Sequence, residues 1–191
     1  MQYKACTPVI APYQVGAEDS ISYGPGKRVG KLMKVDVNPT FENVKVFADD
    51  GIAEEINIFK NAAITLGTNH IPADCEPIMF GCTYSEDKRS AEYGEDDIGQ
   101  YVGFGSVYCK KIDGKDVYYM EWLHKVMFVL PNESRTTKGE TIAFNTPSIT
   151  GTAYVDANGK WRTIDNFDSL EQAISALYAK ANMQAAGAKT E

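Results

Sequence analysis

Four carboxylates crowd one short stretch, VFADDGIAEEINIF at residues 46–59. Asp49, Asp50, Glu54 and Glu55 sit about a glycine, between two runs that read as β-strands. Acids so placed could hold a cation, carry out acid–base catalysis, or charge a solvent-facing turn. A calcium loop alternates its oxygen ligands and closes on a glutamate at its twelfth position. Here the acids come as two adjacent pairs, and neighbours on a strand point to opposite faces. Glycoside hydrolysis asks for two acids opposed across a cleft, and nothing else in the chain resembles a sugar site. The four acids therefore read first as a solvated, charged turn or an assembly surface, ahead of weak cation binding or catalysis.

Other chemistry finds less support. Zinc sites need ligand pairs at short spacing, whereas Cys75 and Cys82 are separated by six residues and Cys6 and Cys109 stand alone. A thiol–imidazole nucleophile could be assembled only from Cys75, Cys82 or Cys109 with His70 or His124. His124 lies among alternating aromatics, as a satisfied sheet histidine would, and His70 precedes Ile71-Pro72 in a turn. There is no Gly-x-Ser-x-Gly elbow and no phosphate loop. GPGKRVGK at 24–31 is glycine-rich and basic, but it reads as a turn entering a strand. No active site, metal or cofactor is expected.

The elements that would position these residues are mostly short strands. The chain of 191 residues is long enough for one domain with a proper core. A net charge of −7 and a pI near 4.9 argue against binding nucleic acid or an anionic membrane. No apolar run approaches the roughly 20 residues that span a bilayer, so no membrane anchoring is expected, and four widely spaced cysteines read as reduced thiols made in a cytoplasm. GKLMKVDV (30–37) ends at Asn38-Pro39, a turn signal, and NVKVFA follows. In INIFKNAAITLG (56–67), Ile56, Ile58, Ala62, Ile64 and Leu66 share a parity that only Lys60 breaks. Pro72 and Gly81 bracket a short helix over 73–80. The acidic segment 85–97 reads as a solvated loop.

Asp113-Gly114 marks a tight hairpin. In its second strand Tyr118, Met120, Trp122, His124, Val126 and Phe128 share one face. Both faces are partly apolar, so this strand should be covered on both sides. TIAFNTPSITGTAYVDANGKWRTI reads as a second hairpin turning at Asn158-Gly159. From Asp168, with Glu171 as its capping partner, Leu170, Ala173, Ile174, Leu177, Tyr178 and Ala181 recur at helical spacing. The organisation is a mainly β domain over 1–165 and a C-terminal helical extension over 166–191.

Read in order, four blocks carry a resemblance. GKLMKVDVNPTFENVKVFADDG resembles the strand–turn–strand unit ending in a YADDG-type element of phage major tail proteins. AAITLGTNHIPADCEPIMFGCTYSE is similar to their next strand, short helix and glycine. YVGFGSVYCKKIDGKDVYYMEWLHKVMF resembles their A-x-G-F strand and tyrosine-rich hairpin. TTKGETIAFNTPSITGTAYVDANGKWR is similar to their K-G-D…F-x-T-P-x-I-x-G…DGKW ending. The similarity is collinear over about residues 3–165 and points to the major tail (tail tube) proteins of phages with long, non-contractile tails. Contractile tail tubes and the related bacterial secretion tubes share that fold. The helix from Asp168 and the loop 85–97 lie outside the matched blocks.

The resemblance implies a tail-tube-type β-sandwich or half-barrel with a short flanking helix and a C-terminal helical appendage. It implies a structural virion protein, not an enzyme, assembled in the bacterial host cytoplasm. Six copies would close a ring, and stacked rings would form the hollow conduit for DNA ejection. The partners implied are copies of the chain itself, a tape-measure protein and tail terminator and tip proteins; DNA would pass without specific binding. Two other readings compete. One is a monomeric β-sandwich binding module, a host-surface or carbohydrate adhesin, with Tyr118, Tyr119, Trp122 and Trp161 lining its site. The other is an enzyme built on the acid cluster.

Overall fold

The computed structural model describes residues 2–48, 51–88, 90–132 and 147–183. Its strands are β1 (Gln2–Val15), β2 (Ile21–Tyr23), β3 (Lys27–Arg28), β4 (Leu32–Ala48), β5 (Gly51–Thr68), β6 (Thr83–Ser85), β7 (Ser90–Glu92), β8 (Tyr101–Ile112), β9 (Lys115–Val129), β10 (Ser148–Tyr154) and β11 (Arg162–Phe167). Helix α1 (Glu76–Phe80) follows β5, and α2 (Leu170–Lys180) follows β11. The chain is mainly β, as expected. One antiparallel sheet runs β2-β1-β8-β9-β10-β5-β4, with β3 beside β1 and β11 beside β9. The sheet curls, bringing β4 close to β1.

The curl makes two cores. Inside it, Ile10, Ile64, Leu66, Phe104, Leu123, Val126, Phe128 and Ile149 pack with Met79 and Phe80 of α1. On the opposite face, α2 lays Ala173 and Leu177, with Ala181 just beyond its end, over Val9, Ala11, Val107, Met120 and Trp122. Trp122 is fully buried there. Its indole lies so close to the sheet that a Cβ on Gly103 would fall 2.3 Å from Trp122 Cζ2, and one on Gly105 2.5 Å from Leu177 Cδ1. No side chain fits at either position. The helix is thus packed onto the sheet, and the 165/166 division falls inside β11.

Several expectations change. Asn38-Pro39 is no turn, because β4 runs through it with Pro39 opposite Ala62. A sheet margin tolerates a residue that cannot donate to the ladder. Lys60 is the extra residue of a bulge: Thr40 faces Asn61, then Phe41 faces Phe59. The bulge reverses parity, so Ala62, Ile64 and Leu66 are buried while Ile56 and Ile58 are exposed. A second bulge does the same in β9. Val102 pairs with Val126 but Phe104 with Leu123, so Met120 and Trp122 face α2 while Val126 and Phe128 face the inner core. The six residues expected on one face therefore divide. Both sides of β9 are nonetheless covered.

Asp113 and Gly114, with φ of 48° and 81°, form the expected β8–β9 turn. Asn158-Gly159 joins no hairpin. β10 and β11 do not pair with each other; both run antiparallel to β9, end to end along one of its edges. The upstream part of that expected hairpin, 141–146, lies outside the described residues. Helix α1 starts at Glu76 rather than at 73, with Pro77 in its first turn, where a missing N–H costs nothing. Loop 85–97 holds strand β7, which folds back on β6, and the Tyr93 hydroxyl there donates to Glu76 Oε2 at 2.7 Å. Ser169 caps α2, its Oγ accepting from Gln172 N at 3.2 Å; the capping pair is one residue later than Asp168 and Glu171.

Candidate functional site

Positions 54 and 55 of the acid cluster lie toward the far end of the longest hairpin. β4 and β5 pair from Leu32↔Thr68 to Ala48↔Gly51, whereas β10 accompanies β5 only from Ala62 to Gly67. From the Phe41↔Phe59 pair outward, neither strand has another beside it among the described residues. This leaves a two-stranded ribbon about 25 Å long, at 3.3 Å per residue. Isolated two-stranded ribbons are marginal in water, and this one carries apolar residues in the open: Phe41 is 54% exposed, Val44 41%, Ile56 49% and Ile58 53%. In register, Val44 faces Ile56 and Ile58 faces Glu42 on one side, while Asn43 faces Asn57 and Lys45 faces Glu55 on the other.

Of the four acids, Asp49 and Asp50 lie outside the described residues. Glu55 is exposed and takes a hydrogen bond from Asn43 Nδ2, which also reaches Asn57 Oδ1 at 3.2 Å. Position 54 is opposite Val46, one step along the strand from position 55 opposite Lys45. Adjacent strand positions belong to opposite faces, so positions 54 and 55 do not share one.

At the ribbon's base, aromatic contacts tie it to the body. Phe59 stacks on Trp161 with ring centroids 4.4 Å apart and planes at 11°, and meets Phe41 edge-on at 5.9 Å. Trp161 closes the 155–161 excursion between β10 and β11, which is stitched to the β9 bulge through His124. The His124 backbone N–H donates to Trp161 O at 3.0 Å. Its ring Nδ1 lies 2.8 Å from Asp156 Oδ2, and Nε2 lies 2.7 Å from Thr163 Oγ1. The other Asp156 oxygen accepts from the backbone N–H groups of Asn158 and Lys160 at 2.9 and 2.8 Å. Tyr23 donates its hydroxyl to His124 O at 3.0 Å, and burial pushes that phenol up to about 12.

Asp156, His124 and Thr163 have the connectivity that activates a hydroxyl in hydrolases. Here the carboxylate also caps its own turn, and the imidazole fixes where the excursion leaves β9. Sequence reasoning anticipated a satisfied histidine but not its partner. The signal for the partner was Asp156 two residues ahead of Asn158-Gly159, an Asx-turn pattern.

Burial lowers the His124 pKa below the usual imidazole value, and the Asp156 carboxylate draws it partly back. With the folded value below the unfolded one, the unfolded chain takes up the proton first. The stabilisation is complete above about pH 6.5 and is lost as pH falls through the folded value. We expect the melting temperature to decline on acidification below about pH 6.5, with a shallower decline in His124→Gln. Thermal melts of both proteins across that range measure the difference.

The thiols are poorly placed for nucleophilic work. Burial pushes Cys75 up to about 12 and raises Cys82, so both stay protonated. His70 is exposed, and its backbone oxygen accepts from Thr68 Oγ1 at 3.1 Å. Among the described residues, no three of His, Cys, Asp and Glu converge as a metal site would need.

One cavity of about 240 Å³ lies under the curl, lined by Ala5, Val35, Val37, Ser106, Tyr108, Glu121 and Arg162. Glu121 Oε1 and Arg162 Nε approach to 2.6 Å, off the alignment of a good hydrogen bond, so the contact is mainly ionic. Burial raises the Glu121 pKa, and Arg162 offsets part of that shift. The four aromatics considered for a sugar site do not share a surface. Trp122 and Tyr118 belong to the α2 core, Trp161 stacks on Phe59, and Tyr119 stacks on Tyr108 at 5.3 Å.

No helix among the described residues is long and apolar enough to cross a membrane. Comparison with protein-family models and with curated proteins found no match.

Proposed function

We propose that this chain is a structural subunit that assembles with copies of itself into stacked hexameric rings, the major tail tube protein of a phage with a long, non-contractile tail. The observation that carries this reading is the unfinished margin of the sheet. β4 spans 17 residues and has β5 alone as a ladder partner among the described residues. It continues into a ribbon that holds Phe41, Val44, Ile56 and Ile58 in water. Open sheet margins and exposed apolar strips are liabilities in a monomer. Identical copies arranged about an axis remove both.

The acidic balance supports the same reading, because a conduit of net charge −7 per subunit gains nothing from phosphate contacts and lets DNA slide. The four motif blocks supply the kind of assembly: a tube built around a tape-measure protein, closed by terminator and tip proteins, located in the virion tail. Within it the carboxylates at 49–55 mark a contact between copies or the wall of the bore.

Concentrated protein viewed by negative-stain electron microscopy, with sedimentation velocity alongside, tests the proposal. Rings or tubes about ten nanometres wide are expected for six such domains in a closed ring. A strictly monomeric species at every concentration and salt condition would overturn it.

A further inference from the structure

The space inside the curl is filled at one end and hollow at the other. Phe104, Leu123, Val126 and Phe128 pack the filled end. Beyond them β8 and β9 present Ser106, Tyr108 and Glu121, and the cavity of about 240 Å³ lies between these and Val35 and Val37 of β4. Protein interiors leave few voids larger than a water molecule, and the ones that stay dry are apolar. This one is walled by a carboxylate, a guanidinium and a hydroxyl. Glu121 and Ser106 there are 6% and 1% exposed.

β1 departs from its ladder at the same place. Val9 faces Gly105, Cys6 faces Val107 and Tyr3 faces Cys109. Thr7 and Pro8 therefore stand against Ser106, and Lys4 and Ala5 against Tyr108. These are two bulges, each opposite a residue that lines the cavity. Thr7 has a φ of 54°, a rare conformation for a β-branched residue. Bulges bend a strand and collect beside functional sites.

The charges decide what fits. Glu121 Oε1 and Arg162 Nε approach to 2.6 Å, yet neither atom has an aligned hydrogen-bond partner. An anionic ligand would meet the Glu121 carboxylate. A cationic one would meet Arg162, with Lys110 Nζ close by, 5.4 Å from the Tyr108 ring centroid. Drawing either member of the pair away would leave the other charge buried and uncompensated. A neutral hydroxyl accepts from a guanidinium and donates to a carboxylate, so a polyol engages both without dismantling them. Tyr108, Val35 and Val37 suit the C–H surface of such a molecule. The volume equals that of about eight waters, room for one pyranose ring.

We propose that this cavity is a binding site for a small neutral polyol, a single pyranose sugar, held between Glu121, Arg162 and Ser106. The inference goes beyond the tube reading and concerns one chain, so it is decided whether or not copies assemble.

The whole chain, isotope-labelled and dilute enough to stay unassembled, is titrated with glucose, galactose and mannose in turn while its amide NMR shifts are followed. At least one sugar should move the Ser106, Tyr108 and Val37 amides and saturate with a millimolar dissociation constant. Acetate and methylammonium at equal concentrations should leave them in place. Glu121→Gln should weaken binding at least about tenfold, and Ser106→Ala about fivefold. Val37→Phe, which fills the space from its half-buried wall, should abolish binding while circular dichroism shows the fold retained. If Glu121→Gln fails to fold, the other two variants still decide. The proposal is overturned if none of the three sugars moves these amides, if acetate or methylammonium saturates them instead, or if Val37→Phe binds as the wild type does.

Discussion

Ile56→Lys combined with Ile58→Lys is expected to leave a folded subunit that no longer assembles. Both side chains are about half exposed, on a ribbon with no strand beside it among the described residues. Surface changes of this kind usually alter stability by only about 0.5 kcal/mol. In the assembled state the same positions would be buried, where each isoleucine contributes on the order of 1 kcal/mol by area. A lysine buried there would have to shed its hydration. Losing the apolar contact and burying a charge should raise the critical concentration at least about a hundredfold. Sedimentation velocity against concentration, with a melting curve as control, reads both parts of the expectation. Unchanged assembly would place the ribbon outside every contact between copies.

The second large effect is on folding. Trp122→Ala removes the largest fully buried side chain, which joins β9 to α2. Large-to-small changes of this kind cost about 3–5 kcal/mol, because the cavity collapses only in part. Gly103 and Gly105 beneath the indole contribute no side chain of their own to the gap. Against a typical domain stability of about 5–15 kcal/mol, the variant should unfold at a much lower urea concentration. Trp161 remains as a fluorescent reporter. A loss under about 1 kcal/mol would show that α2 adds little to the sheet it covers.

How far the sequence disclosed this depends on which residues carried the signal. Two-residue alternation located β4, β5, β8 and β9, and Asp113-Gly114 placed the turn between the last two to the residue. Helical spacing from Leu170 found α2, although Ser169 with Gln172 caps it. The failures share one cause. Parity assumes an uninterrupted ladder, and both long strands carry an extra residue, at Lys60 in β5 and beside His124 in β9. Each bulge sends one half of a strand to the opposite face, which no local pattern announces. Pro39 misled for the opposite reason, since its turn preference yields to pairing at a sheet margin.

The site was legible as composition only. The acids were visible, but not that Glu55 lies on an unsupported ribbon. Nor did the chain order show that Asp156 would meet His124, because that pairing depends on β10 and β11 both lying along β9.

Pro39 has a further effect on a lone chain. A proline tolerated within a paired strand turns its nitrogen outward, so the bare margin of β4 lacks one donor near its middle. Stray polypeptide cannot zip along that margin in any register it chooses, as it could along an unbroken one. Only a strand whose own hydrogen-bonding sequence skips at the matching step can run its full length, which guards the chain against fibrous aggregation.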